Sequence, residues 1–139
     1  MKILIYLDDK TANEKVIRIG TALSLNLAAE LTFLTVRSTT PATEEPPPVG
    51  VDLPRERWNK LQPGIQILTQ AMNALIGAGF LLPQNINIRA VRNGYLFLAE
   101  TLSGDRVPFY ERYGHLTEIL NHEVDEHRCD MVVVAAPRR

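Results

Sequence analysis

Three short, almost wholly apolar runs constrain the fold of this chain more than any other feature. They read ILIYL at residues 3–7, LTFLTV at 31–36 and DMVVVAA at 130–136. Runs of this length without polar alternation are typical of strands that are buried on both faces of a parallel sheet. The first run ends at Asp8 and Asp9, so it predicts a central strand that leaves the core at a polar end.

Segments with helical spacing separate these runs and predict amphipathic helices. The first helix covers residues 12–30, with Thr11 or Asn13 as its N-terminal cap, and the last covers 115–128. Because the strand at 31–36 follows the first helix almost directly, the N-terminal part of the chain predicts a βαβ unit.

A third helix is predicted over residues 57–80, in which Pro63 either kinks the helix or marks its first turn. Residues 85–91 alternate between polar and apolar side chains, which predicts a strand near the sheet edge. The stretch 94–113 fits either a short helix or a strand, because serine, glycine and proline interrupt its apolar residues. Residues 38–55 concentrate proline, threonine and glutamate and predict a mobile loop.

The predicted order βαβαβαβ indicates an α/β fold of the three-layer Rossmann-like kind, with a mostly parallel sheet flanked by helices. A single domain over residues 1–139 is expected, because this length suits one hydrophobic core. The sequence can equally be one segment of a longer protein.

The charge balance argues against several classes of partner. Fifteen Lys and Arg against sixteen Asp and Glu give a formal net charge of -1, which provides no long-range attraction to nucleic acid or to an anionic membrane. The N-terminus lacks the apolar core of a signal peptide, and no run approaches membrane-spanning length. The lone cysteine, Cys129, excludes an internal disulfide and agrees with a reducing compartment. We therefore expect a cytoplasmic protein.

The stretches ILIYLDD, AAELTFLTV and CDMVVVAAPRR together resemble the universal stress protein domain in pattern and order. This resemblance covers nearly the whole chain and implies the adenine nucleotide alpha hydrolase-like variety of the Rossmann-like fold. In that family an aspartate that ends the first strand contacts the adenosine of a bound nucleotide, and it corresponds to Asp8 here. A valine that ends the second strand offers backbone groups to adenine, and it corresponds to Val36.

The phosphate-binding loop is where this sequence departs from the family. Nucleotide-binding members place a glycine-rich loop and a helix N-terminus after the fourth strand, because backbone N–H groups must approach the phosphate oxygens closely. Here the corresponding residues are Ala135, Ala136, Pro137, Arg138 and Arg139, without either glycine. The resemblance therefore implies a non-enzymatic regulatory or interaction domain without a competent ATP phosphate site. It also implies a homodimer, or pairing with a second stress-protein-like domain.

A candidate adenine-nucleotide site still follows from the resemblance and consists of Asp8, Asp9, Val36 and Ala135. The simpler interpretation is that the two aspartates end a buried strand and cap the next helix. A Mg²⁺-dependent nucleotide hydrolase is less favoured, because no general base or phosphate-binding lysine is placed to help. A receiver domain with Asp52 as phosphoacceptor is also less favoured, because the prolines before Asp52 do not suit a buried strand.

The remaining polar motifs predict no catalytic or metal site. His122, Glu123 and His127 lie on one predicted helix, but the two histidines diverge by about 140° around its axis and do not suit one metal. No Gly-x-Ser-x-Gly nucleophile motif occurs. One group of aromatic and basic residues has two interpretations. It is either a surface patch that binds a partner or, as we prefer, a set of side chains that cover the edge of the core. It comprises Phe109, Tyr110, Arg112 and Tyr113.

Overall fold

The computed structural model describes residues 1–8, 13–37, 49–50, 52–53, 63–84 and 86–134. Within these ranges the chain forms strands and helices in the order β1 (Lys2–Tyr6), α1 (Glu14–Leu27), β2 (Glu30–Arg37), β3 (Asp52–Leu53), α2 (Pro63–Gly77), β4 (Ile88–Val91), β5 (Gly94–Glu100), β6 (Arg106–Tyr113), α3 (Leu116–His127) and β7 (Met131–Val133). No helix in the described part of the chain is both long and apolar enough to cross a membrane.

All of these strands join one sheet in the order β3-β4-β5-β6-β2-β1-β7. Strands β6, β2, β1 and β7 pair in parallel and form its core. If these four strands are numbered 1 to 4 by their order in the chain, their order across the sheet is 3-2-1-4. The first four strands of a doubly wound α/β sheet have the same order. Strands β3, β4 and β5 extend the core through antiparallel pairs. Five strands (β1, β2, β4, β6 and β7) therefore run in one direction, and the predicted α/β class is confirmed.

The helices cover both faces of the sheet. Neighbouring residues of a strand point to opposite faces, and on β6 the side chain of Glu111 meets Gly64 of α2 while that of Arg112 meets Glu123 of α3. Helix α1 contacts α2. We call the side covered by α1 and α2 the first face, and the side covered by α3 the second face.

Most of the hydrophobic core lies on the first face. Three phenylalanines from neighbouring strands stack there, with ring centroids 4.7 Å apart between Phe33 and Phe109 and 4.7 Å apart between Phe97 and Phe109. Each large side chain fully removed from water contributes roughly 1.5–3 kcal/mol. Helix α2 covers the aromatic stack with Ile65, Leu68, Met72 and Leu75, which are almost fully buried.

The helices are shorter than the sequence predicts. Helix α1 ends where Ala28 adopts a left-handed backbone with φ of 50°. Asn13 precedes α1 but makes no capping hydrogen bond to it, so the predicted cap is wrong for Asn13, and Thr11 lies outside the described residues. The described part of α2 begins at Pro63, so the choice between a kink and a first turn at Pro63 stays a prediction. Residues 57–62 of that predicted helix also lie outside the described ranges.

The stretch 94–113 forms a β-hairpin of β5 and β6, which the sequence left undecided. The turn closes through a hydrogen bond from the Thr101 N–H to the Asp105 carbonyl, at 2.8 Å. Gly104 lies within it at a φ of 88°, a left-handed conformation that glycine adopts without strain.

Two further strands differ from the sequence prediction. Residues 52–53 form β3 instead of continuing a loop, whereas the rest of 38–55, apart from 49–50, lies outside the described residues. The strand predicted at 85–91 is present as β4 over Ile88–Val91, one position from the sheet edge as expected.

Candidate functional site

The carboxyl end of the parallel core brings two predicted site residues together. Tyr6 of β1 pairs with Leu34 of β2, and continuing this register by two residues places Asp8 level with Val36. Doubly wound sheets bind ligands outside the carboxyl ends of their strands, where successive connections leave toward opposite faces. Here the helix that follows β2 packs on the first face and the helix that follows β6 packs on the second. This end of the core is therefore the candidate functional site.

The chain around Asp8 is held by the side chain of Asn13. The Asp8 N–H donates to Asn13 Oδ1 at 3.0 Å, and Asn13 Nδ2 donates to the Asp8 carbonyl at 2.7 Å. Asn13 thus holds the backbone of Asp8 in place, and its side chain does not cap the helix. Asp9 and Ala135, the other two members of the predicted nucleotide site, lie outside the described residues, as does the whole counterpart of the phosphate loop at 135–139.

Two further residues at this end, Arg37 and Glu111, were missed by the sequence interpretation, which named Tyr113 only as part of the aromatic and basic group. Arg37 ends β2 and pairs with Tyr113, which ends β6. Glu111 lies two residues earlier on β6, where it is fully buried. A signal for Glu111 is present in the sequence, because the alternation of Val107, Phe109 and Glu111 places an acid in the core-facing series of a strand.

Both carboxyl oxygens of Glu111 and the hydroxyl of Tyr113 are buried without a hydrogen-bond partner in the described part of the chain. Buried polar groups are rarely left in that state. Burial raises the pKa of Glu111 to about 7, against smaller lowering influences of the Tyr113 hydroxyl and the Arg37 guanidinium. The Tyr113 hydroxyl approaches the carboxyl without reaching hydrogen-bond geometry. Burial, and next the charge of Glu111, also raise the pKa of Tyr113, so its hydroxyl stays protonated.

A second polar group joins β6 to α3 on the second face. The Arg112 Nε donates to Glu123 Oε1 at 2.9 Å, and a His127 ring nitrogen lies 2.8 Å from the other oxygen of Glu123. The Arg112 guanidinium also lies over the Tyr110 ring, 4.7 Å from its centroid. These contacts agree with the preferred interpretation, in which the aromatic and basic residues cover the edge of the core.

The two histidines of α3 pair with different glutamates. His122 lies 2.9 Å from Glu126, whereas His127 pairs with Glu123. Ligand atoms of His122, Glu123 and Glu126 come within 4.8 Å of one another, but both oxygens of Glu123 already have partners. This group carries no metal proposal.

Asp52 lies far from the candidate site. It belongs to the edge strand β3, which four strands separate from β1. Its carboxylate pairs with Arg89 at 3.2 Å. Asp52 is therefore not beside Asp8, where the phosphoacceptor of a receiver domain would have to be.

A cavity of about 540 Å³ lies at the opposite, amino end of β2 and β6. The Ser24 hydroxyl on its wall donates to the Ala29 carbonyl at 2.6 Å, and Thr101 and Ser103 share a hydrogen bond of 2.9 Å. These hydroxyl groups already have protein partners, whereas the charged residues Glu30, Asp105 and Arg106 also line the cavity. Its lining also includes Leu25, Leu31, Phe80 and Val107.

Comparison with known proteins identifies no family, so the class of this protein is assigned from its fold. No model of a known protein family matches the chain, and no curated protein is significantly similar to it. The class is a doubly wound α/β domain with an antiparallel extension, in which Asp8 and Val36 lie at the carboxyl end of the parallel strands β1 and β2.

Proposed function

We propose that this protein is a regulatory or interaction domain of the universal stress protein type, which works through contacts with another protein chain and not through catalysis. The observation that carries this proposal is the exposed apolar edge strand β7. The single cysteine, Cys129, agrees with action in the cytoplasm.

Strand β7 pairs with β1 on one side, and its other side meets no strand within the described ranges. Val132 is 38% exposed and Val134, directly after the strand, is 52% exposed. An apolar edge that lacks charged residues or a covering helix is a template for pairing with a further strand. A second copy of the chain, or a second stress-protein-like domain, would extend the sheet there through backbone hydrogen bonds.

Val132→Lys is expected to abolish self-association, because a charge on the apolar edge opposes strand pairing. Sedimentation velocity over a concentration series would measure the mass of both proteins. Leu102→Lys is the matched control, since Leu102 is an exposed leucine in the β5–β6 turn and lies away from β7. A wild-type protein that stays monomeric at its highest soluble concentration, alone and with other stress-protein domains, would refute pairing through β7.

A second candidate function is binding of an adenine nucleotide at the carboxyl end of the parallel core. What favours it is the placement of Asp8 level with Val36, together with the fixed backbone around Asp8. These are the positions through which the resemblance implies contact with adenosine.

Titration calorimetry with ATP tests this candidate. Saturable binding that weakens about tenfold or more in Asp8→Ala is expected, because a hydrogen bond to a charged group contributes roughly 1.5–3 kcal/mol. Asp105→Ala provides the control, as Asp105 is an exposed acid in the β5–β6 turn. Equal affinities for all three proteins, or no heat of binding, would remove the nucleotide candidate and leave the interaction domain.

A further inference from the structure

Glu111 is a buried acid that the proposed function does not use. Its side chain is fully buried on the first face, and neither of its oxygens has a hydrogen-bond partner among the described residues. Ionising such a group without a partner is strongly unfavourable. The uncharged carboxylic acid is therefore the form that this site tolerates.

The carboxyl group lies directly against the first turn of α2. A Cβ added to Gly64 would come within 2.6 Å of Glu111 Oε2 and 2.8 Å of Glu111 Cδ. The absence of a side chain at Gly64 thus lets the helix backbone close over the acid. The carboxyl therefore cannot move toward α2 without displacing this turn.

Few charged groups of the described residues face Glu111. Strand β2 contributes Arg37, whose charge lowers the pKa of Glu111 in part. Strand β6 contributes Tyr113, and β5 contributes Tyr95, which pairs with Glu111 across the sheet. The first turn of α2 contains no acidic residue, and its sequence, PGIQ, contains no basic one. On ionisation, the carboxylate can gain a partner among the described residues from the protonated Tyr113 hydroxyl or by turning toward Arg37, or it can admit water.

We propose that Glu111 and Gly64 form a pH switch: the uncharged acid keeps the first turn of α2 packed on β6, and its ionisation releases that turn and opens the carboxyl end of the parallel core. Because Asp8 and Val36 lie at this same end, the switch controls access to the candidate site. The proposal does not depend on which ligand or partner the protein has.

The direction of the effect follows from the titration of Glu111. Its pKa is about 7 in the closed arrangement and 4.5 for a free glutamate. A raised pKa means that the closed arrangement is fully stable below about pH 4.5 and loses stability as the pH rises through about 7. Between about pH 6 and about pH 8, the equilibrium constant for opening is expected to rise about tenfold.

Hydrogen–deuterium exchange of the free protein tests the switch, with rates corrected for the intrinsic effect of pH. The amides of Ile67 and Leu68, whose N–H groups bond to carbonyls in the first turn of α2, are expected to lose protection about tenfold between about pH 6 and about pH 8. In Glu111→Gln, which removes the charge and keeps the shape, their protection should stay high at both values. Glu100→Gln changes an exposed glutamate on β5 and should behave like the wild type.

Two results would overturn the switch. One is unchanged protection of the α2 amides across this pH range in the wild type, a measurement that needs no variant to fold. The other is an equal loss at the amides of β1, such as Ile5, because the charge would then destabilise the whole domain and not release one turn. Gly64→Ala, which forces the turn off the acid, should give low protection that no longer depends on pH.

Discussion

Replacing Phe109 by alanine is expected to lower the free energy of unfolding by about 3–5 kcal/mol. Phe109 is fully buried and stacks on Phe33 and on Phe97 at once, at 4.7 Å from each. Its loss leaves a cavity between β2, β5 and β6, where the parallel core meets the antiparallel extension. Urea unfolding followed by circular dichroism would show a lower midpoint with an unchanged slope.

Two further variants serve as controls for the stability loss expected in Phe109→Ala. Phe109→Leu retains most of the buried volume and should lose much less, on the order of 1 kcal/mol. Leu102→Ala removes an apolar side chain that is 67% exposed and should change stability by at most about 0.5 kcal/mol. If Phe109→Ala unfolded like Leu102→Ala, the aromatic stack would not hold the two parts of the sheet together.

Arg112→Met is expected to destabilise the protein by about 3–5 kcal/mol. The substitution leaves Glu123, whose side chain is only 2% exposed, without the cation that it meets at 2.9 Å. It also removes a hydrogen bond of 2.7 Å to the Arg92 carbonyl. The same unfolding measurement would record the loss.

The double variant Arg112→Met with Glu123→Gln tests whether the lost stability comes from the unpaired charge of Glu123 or from the lost packing of Arg112. Since it removes both charges, it should recover a large part of the stability lost in Arg112→Met, as buried ion pairs often do when both members are replaced. A double variant no more stable than the single one would show that Arg112 acts through its other contacts and not through Glu123.

The parallel core was predictable from sequence because its strands carry continuous apolar runs and its helices carry clear periods. The hairpin was not, because Pro108 argues against a strand inside a sheet. The register explains why proline is tolerated there. Strand β2 pairs with β6 only from Phe109 onward, so Pro108 lies where β5 is its one neighbour in the sheet and a missing N–H breaks no bond to β2.

The candidate site was predictable in part. The end of the first apolar run located Asp8, and the resemblance added Val36, which comes level with Asp8 when the β1–β2 register is continued by two residues. Glu111 could not be assigned a place until β6 was known to lie beside β2, because its burial depends on pairing between residues that are 76 positions apart, Phe33 and Phe109. Gly64, likewise, matters through a tertiary contact that no local pattern encodes.

The position of β1 in the sheet has a consequence for how the protein is made on the ribosome. Its partner β2 follows within 28 residues, as the pair Lys2 and Glu30 shows, but its other partner β7 begins at Met131. While the intervening chain is translated, β1 keeps the side that later pairs with β7 uncovered. The nascent protein is thus expected to need a chaperone, or rapid completion of translation, until residues 131–133 leave the exit tunnel.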